Sequence, residues 1–251
     1  MQLRIVVKCL IGVLVIVHNA IGLSEQQCSA DVAKRKVVAL ILARGGSKGI
    51  PLKNLAILQG ESLLLRALRV VKNSKIFSEI WVSTDNDLIA LEARTVSKIF
   101  VHHRPESEAL DTTSSIESVQ EFLHHHPEIE NVALIQCTSI FLRETYLELA
   151  YELFQKSDCV FTVTKSHKLR WKFSNSQLLP INFDPTKRPR RQDWDGELLE
   201  TGMFYFATRN LLDRGVFQTN SCGFVEIPSQ DALEIDKKSD LQLAQCLLEL
   251  Y

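Results

Sequence analysis

The chain has 251 residues, with 29 Lys and Arg set against 30 Asp and Glu, for a formal net charge of −1. That balance argues against nucleic acid as the main partner, which calls for a basic surface. The length and ordinary composition fit one large α/β domain or two small ones, and no repeat or low-complexity segment interrupts them.

At the N-terminus, Arg4 and Lys8 precede an apolar run from Cys9 to Val17. His18 and Asn19 close the run, and Ala20 and Gly22 supply small residues at the −3 and −1 positions of a cleavage site. This layout predicts a secretory signal peptide over residues 1–22, too short in its apolar core for a permanent span. An uncleaved anchor is the alternative, and only then would a membrane be a partner. Residues 23–36 are polar and read as a linker; the folded domain is expected over 37–251. Entry into the secretory pathway would leave Cys28, Cys137, Cys159, Cys222 and Cys246, an odd number matching no zinc spacing. Cys137 and Cys159 lie in apolar strand-like runs and are expected to be buried free thiols; Cys28 could pair between chains.

Val37–Ala43 is a short apolar run that suits a buried parallel strand. It leads into Arg44-Gly45-Gly46-Ser47-Lys48-Gly49-Ile50-Pro51-Leu52-Lys53-Asn54. Glycines allow close approach of backbone N–H groups to an anion, and Arg44, Lys48 and Lys53 add positive charge, so the loop suits a polyphosphate at the end of a first strand. Its spacing is neither that of a Walker A loop nor that of a dinucleotide fingerprint. Apolar spacing then predicts helices over 62–75, 87–95, 114–125, 144–155 and 239–250. Strands are expected at 80–83, 99–101, 131–136, 158–164 and 203–207. The alternation implies an α/β fold: three layers, with a mostly parallel Rossmann-like sheet between helices. Residues 166–201 break the pattern. They are polar, carry Pro180, Pro185 and Pro189, and are too long for a plain connector, so a functional or subunit-contact role is expected.

Ligands of open α/β sheets gather where strands end. Polar residues sit at four such ends: the Arg44 loop, Ser83-Thr84-Asp85, Arg104 with Asp111 to Ser115, and Gln136-Cys137-Thr138-Ser139. Individually, Asp85 and Thr113 could be helix caps and Arg104 a surface cation. Two further blocks carry charge. Lys187-Arg188-Pro189-Arg190-Arg191-Gln192-Asp193-Trp194-Asp195-Gly196-Glu197 is a basic run that suits a solvated loop, a nuclear import signal, or bidentate recognition of carboxylate and phosphate. In Leu233-Glu234-Ile235-Asp236, alternation puts both carboxylates on one side, where they could face one cation.

The loop string, the strand-end blocks in this order and the Arg190–Glu197 string together resemble the CMP-sialic acid synthetases (N-acylneuraminate cytidylyltransferases), animal type, over about residues 37–250. The resemblance implies a nucleotidyltransferase that joins CTP and N-acylneuraminate to give CMP-sialic acid and pyrophosphate. It implies that Arg44, Gly45, Gly46, Ser47, Lys48 and Lys53 handle the triphosphate and that Asn54 reads the cytosine edge or ribose. Ser83, Arg104, Thr113 and Ser115 would complete the nucleotide pocket, and Gln136 would hold the sugar acid. Arg188, Arg190, Arg191 and Gln192, with Arg170 in support, would meet the sugar carboxylate, Arg190 orienting the attacking sugar. Glu234 and Asp236 would hold Mg²⁺ or another divalent cation such as Mn²⁺. Relatives carry Asp-Ile-Asp and a Pro where this chain has Glu234 and Ile140. A homodimer or tetramer, with 166–201 as the dimerisation segment, is likewise implied, while the N-terminal signal points to the secretory pathway and the Golgi lumen. The alternatives are activation of another keto-sugar acid such as KDO, or a nucleotide- or sugar-binding protein without catalysis. No general base is evident, and His124-His125-His126 reads as the polar end of a helix.

Overall fold

The computed structural model describes residues 34–250. The expected signal segment, Cys9 and Cys28 lie outside them, as does most of the expected linker.

β1 (Val38–Leu42) is the central strand, buried almost throughout. It is flanked in parallel by β4 (Glu79–Thr84) and β6 (Asn131–Ile135). β5 (Phe100–His103) extends the sheet in parallel beyond β4. On the other side β10 (Glu197–Thr208) runs antiparallel to both β6 and β7 (Cys159–Ser166), and β11 (Gly223–Glu226) closes the sheet parallel to β7. The seven-stranded order is β11-β7-β10-β6-β1-β4-β5. β2 (Ile57–Leu58) and β3 (Glu61–Ser62) form a small separate ladder, as do β8 (Trp171–Ser174) and β9 (Gln177–Pro180).

Successive residues of a strand face opposite sides, and β1 shows the result. Ala39 and Ile41 join a core with α1 (Leu63–Ser74), α2 (Asp87–Arg94) and α4 (Glu144–Phe154). Val38 and Leu40 join the opposite core with α3 (Ser115–His125) and α5 (Arg209–Asp213). α6 (Lys238–Leu248) seals a third cluster with Ile50, Leu58 and Ile235. The expected apolar face of α6 holds except at Leu243, which is 50% exposed. The caps explain where the helices start. Ser62 accepts from the Leu65 amide, Asn86 from those of Leu88 and Ile89, and Ser114 forms a reciprocal capping box with Glu117. The caps are therefore Asn86 and Ser114, next to the Asp85 and Thr113 considered above. No helix among the described residues is long and apolar enough to cross a membrane.

The fold departs from the sequence expectations in several places, two of which bear on residues singled out above. Residues 166–201 hold a β-hairpin, whose two-residue turn places Asn175 and Ser176 at positive φ, the primed turn that matches strand twist. Cys159 is not a free thiol but is joined to Cys222 in a disulfide. Its apolar strand context spoke for burial, and burial is observed; the partner, ahead of β11 and 63 residues away, gave no local signal. Cys137 is free and buried, and Cys246 free and exposed.

Candidate active site

The carboxyl ends of β1, β5 and β6 open into one cavity of about 330 Å³. It is lined by Arg44, Ser47, Lys48, Lys53 and Asn54 from the segment after β1, and by Arg104, Asp111, Thr113, Ser115 and Ser118 from the β5–α3 region. Gln136, Cys137 and Thr138 follow β6, and Glu234 and Asp236 precede α6. Residues nearly 200 positions apart thus share one wall-to-wall site, as expected where strands end.

Opposite charges meet in pairs across it. Lys53 Nζ donates to Asp236 Oδ1 at 2.9 Å. Arg44 donates to Asp111, and Lys48 Nζ lies 2.6 Å from the same carboxylate. Lys48 foremost, then Arg44, holds the Asp111 carboxyl below its ordinary value. Glu234 Oε1 accepts from Thr138 Oγ1 at 2.9 Å, and Glu234 bridges to Ser139. Ile235 is fully buried between the two carboxylates, so the alternation places both at the cavity. A bulge in β10 supports this segment from the side. Glu200 pairs with Val163 but Tyr205 with Phe161, and Gly202, at φ +74, would carry a Cβ 3.6 Å from Glu234 Oε2.

Arg104 is 6% exposed, not a surface cation. Its Nη1 donates to Ser118 Oγ at 2.6 Å, and its buried Nε has no partner among the described residues. Burial lowers its pKa, with Asp85 and Glu121 opposing. A buried guanidinium with an unused donor at a cavity wall suits an anionic or carbonyl-bearing guest. Asn54 is also buried; its Nδ2 donates to the Arg44 carbonyl at 3.0 Å and its Oδ1 accepts from Cys137 Sγ at 3.0 Å. One N–H and one lone pair remain for a ligand. Burial pushes the Cys137 thiol up to about 12, which keeps it protonated and unreactive.

Other expected site residues lie elsewhere. The Gly45 amide donates to Asp85 Oδ1 at 2.9 Å. Neither Gly45 nor Gly46 lines the cavity, whereas Gly49 does. Ser83 is fully buried beneath it, its carbonyl accepting from the Ala43 amide. Arg170, Arg188, Arg190, Arg191 and Gln192 are all exposed and do not line the cavity of their own chain. Arg170 pairs with Glu197 through two bonds of 2.7 Å, and Arg190 with Asp193 at 2.8 and 3.0 Å. Ser118, Thr138 and Asp111 are lining residues that were not singled out individually. Ser118 follows Ser115 by three positions, a helical spacing that could have flagged it.

A family model described as cytidylyltransferase matches residues 38–250. The chain belongs to the cytidylyltransferase family. It is 42% identical over 218 residues to an N-acylneuraminate cytidylyltransferase of Oncorhynchus mykiss, covering 84% of this chain and 50% of the other. With N-acylneuraminate cytidylyltransferase A of Danio rerio it shares 40% over 217 residues, again 84% and 50% of the two chains. The chain therefore spans about half the length of these curated relatives. Its fold is like that of a CMP:2-keto-3-deoxy-manno-octonic acid synthetase solved with CTP: TM-score 0.65 at 16% identity, covering 86% of this chain and 99% of that one. The mostly parallel seven-stranded sheet and its flanking helices constitute the expected Rossmann-like architecture.

Proposed function

We propose that this chain activates N-acylneuraminate with CTP, giving CMP-sialic acid and pyrophosphate. The observation that carries the reading is the convergence of Arg44, Lys48, Lys53, Asn54, Arg104, Thr113, Ser115, Gln136, Glu234 and Asp236 on one cavity. The names of relatives at 42% and 40% identity supply the substrate class.

The anomeric hydroxyl attacks the α-phosphorus and pyrophosphate leaves in line. Arg44, Lys48 and Lys53 neutralise the phosphates, the dominant demand in such a transfer. Asn54 holds the β1 loop through the Arg44 carbonyl and offers its remaining donor and acceptor to the base or ribose. Arg104, Thr113 and Ser115 bound the nucleotide, and Gln136 faces the sugar. Two carboxylates at one wall are the hard oxygen donors that Mg²⁺ or Mn²⁺ takes together with phosphate and water, so Glu234 and Asp236 fit a divalent ion. When bound, that ion would offset charge developing on the transferring phosphoryl group.

Arg188, Arg190, Arg191 and Gln192 serve the sugar carboxylate of a second copy in this reading. What supports a homodimer is the arm around β8 and β9, where Phe173 is 72% and Leu178 65% exposed, more apolar surface than a free hairpin ordinarily presents. A secretory location, with signal cleavage near residue 22 and residence in the Golgi lumen, draws support from the Cys159–Cys222 disulfide, since such bonds persist in oxidising compartments.

Pyrophosphate release by purified protein tests this, with CTP, a divalent ion and either N-acylneuraminate or KDO. Release with N-acylneuraminate alone is expected. Release with KDO alone would redirect the substrate assignment, and none with either acid would overturn catalysis.

A further inference from the structure

Behind the cavity, β5 and α3 bring together three side chains that the nucleotide reaction does not use. His102 on β5 is 8% exposed, with Nε2 at 2.9 and 3.1 Å from the two oxygens of Glu121 on α3. His125 follows Glu121 by four residues, so the two share a helix face, and its Nδ1 lies 3.2 Å from Glu121 Oε1. All three donor atoms lie within 4.8 Å of one another.

In the structure these are hydrogen-bond contacts, and His125 Nδ1 also lies 3.0 Å from the Glu121 carbonyl oxygen; the same separations admit one metal ion. Bonds of 2.0–2.1 Å in a tetrahedral centre put neighbouring ligand atoms about 3.3 Å apart. The Glu121 oxygens already stand near that distance from both imidazoles. Two imidazoles and one carboxylate suit zinc-class ions, while Mg²⁺ prefers oxygen alone. His125 is 55% exposed and gives an entry side. Phe122 packs edge-on to His102 at 5.4 Å, and the His126 ring lies 5.5 Å from His102 and tilted against Trp81 at 4.4 Å, so rings wall the inner side of the site, where an apolar face limits solvent access.

We propose that His102, Glu121 and His125 bind one divalent transition metal of the zinc class, which ties β5 to the C-terminal half of α3. The site is separate from Glu234 and Asp236 and does not depend on the cytidylyl-transfer reading. Its placement has a consequence for the cavity. Arg104 lies two residues beyond His102, and Ser118, which accepts from Arg104, lies one turn before Glu121. An ion here fixes the wall that carries Arg104 from behind.

The test uses the full chain, stripped with a chelator and titrated with Co²⁺ in a large excess of Mg²⁺, which saturates all-oxygen seats. Expected are one Co²⁺ per chain, with the visible absorption of a low-coordinate centre, its displacement by Zn²⁺, and a higher melting temperature with Zn²⁺. His125→Ala, at an exposed position that spares the fold, and Glu121→Gln should each weaken binding by about tenfold or more, since losing even an outer partner costs that much. His124→Ala, an exposed neighbour outside the triad, should leave it unchanged. No stoichiometric Co²⁺ on the unaltered chain, or unaltered affinity in both His125→Ala and Glu121→Gln, would overturn the site and leave a hydrogen-bonded structural cluster.

Discussion

Lys53 Nζ reaches Asp236 Oδ1 at 2.9 Å, although the two residues are 183 positions apart. The contact ties the loop after β1 to the segment ahead of α6 and joins the basic side of the cavity to its acidic corner. Asp236→Asn removes an oxygen donor and leaves Lys53 without its counter-charge. Its side chain is 65% exposed, so the fold should persist by circular dichroism while pyrophosphate release falls about a hundredfold or more. Glu234→Asp should also lose rate, because the shorter side chain gives up the bond from Thr138. Unaltered rates at saturating Mg²⁺ would remove both carboxylates from the mechanism.

Asp111 holds the place of an anion between Arg44 and Lys48. In the proposed reaction an incoming triphosphate would displace it. Asp111→Asn is expected to lower the KM for CTP a few-fold with kcat retained. Because the carboxyl is held below its ordinary range, the pairing is complete above that range and lost only as pH falls through the lowered value. The KM ratio between the two proteins should therefore be flat from about pH 6 to 8; a steep change there would point to another group.

Gly49 and Gly46 should respond differently to alanine. A Cβ on Gly49 would lie 2.3 Å from the Asp236 carbonyl oxygen, whereas one on Gly46 meets nothing within 4 Å. Backbone on both sides leaves no flexible atom to yield. Gly49→Ala should thus weaken CTP binding, measured by calorimetry, while Gly46→Ala should bind near normally. Equal behaviour would show that the loop repositions freely.

The disulfide closes a loop over a sequence separation of 63. Chain entropy alone gives it about 4 kcal/mol of stabilisation. Cys222→Ser should lower the melting temperature by about 10 °C for a domain of this size, with a mobility change on non-reducing gels confined to the unaltered protein. An unchanged melting temperature would mean the thiols are not joined in solution.

The exposed arm makes a prediction about assembly. Phe173→Asp combined with Leu178→Asp introduces charge where apolar side chains stand open. Sedimentation should report a dimer for the unaltered chain and a monomer for the double variant. A monomer in both cases would end the subunit-contact reading of residues 166–201.

Much of the architecture could be read from local chemistry. The apolar run of β1, the helical spacing of α1 and the Ser114–Glu117 box each carry their signal within a few residues. So did the polar strand ends, and Arg44, Lys53, Asn54, Arg104, Gln136, Glu234 and Asp236 do meet in one cavity. What escaped depends on distant partners. The Cys159–Cys222 bond joins two sites with no shared pattern. The hairpin turn at Asn175-Ser176 lacks the glycine that usually announces a primed turn. The long reach of β10 back to Glu197 is set by pairing with Lys165 and Ser166, not by its own polar N-terminal half. Asn54 and Gly45 were legible as site-region residues, but their engagement with Arg44, Cys137 and Asp85 arises from packing alone.

β10 has one further consequence. The same twelve-residue strand starts at the root of the arm and ends deep in the sheet beside β6. At its base Glu197 takes hydrogen bonds from both Arg170 and Asn182, which tie the hairpin's two ends to β10. Along the strand the ladder is broken between Glu200 and Tyr205. That break is the stretch bearing Gly202 against Glu234, so one strand joins the root of the arm to the acidic corner of the cleft.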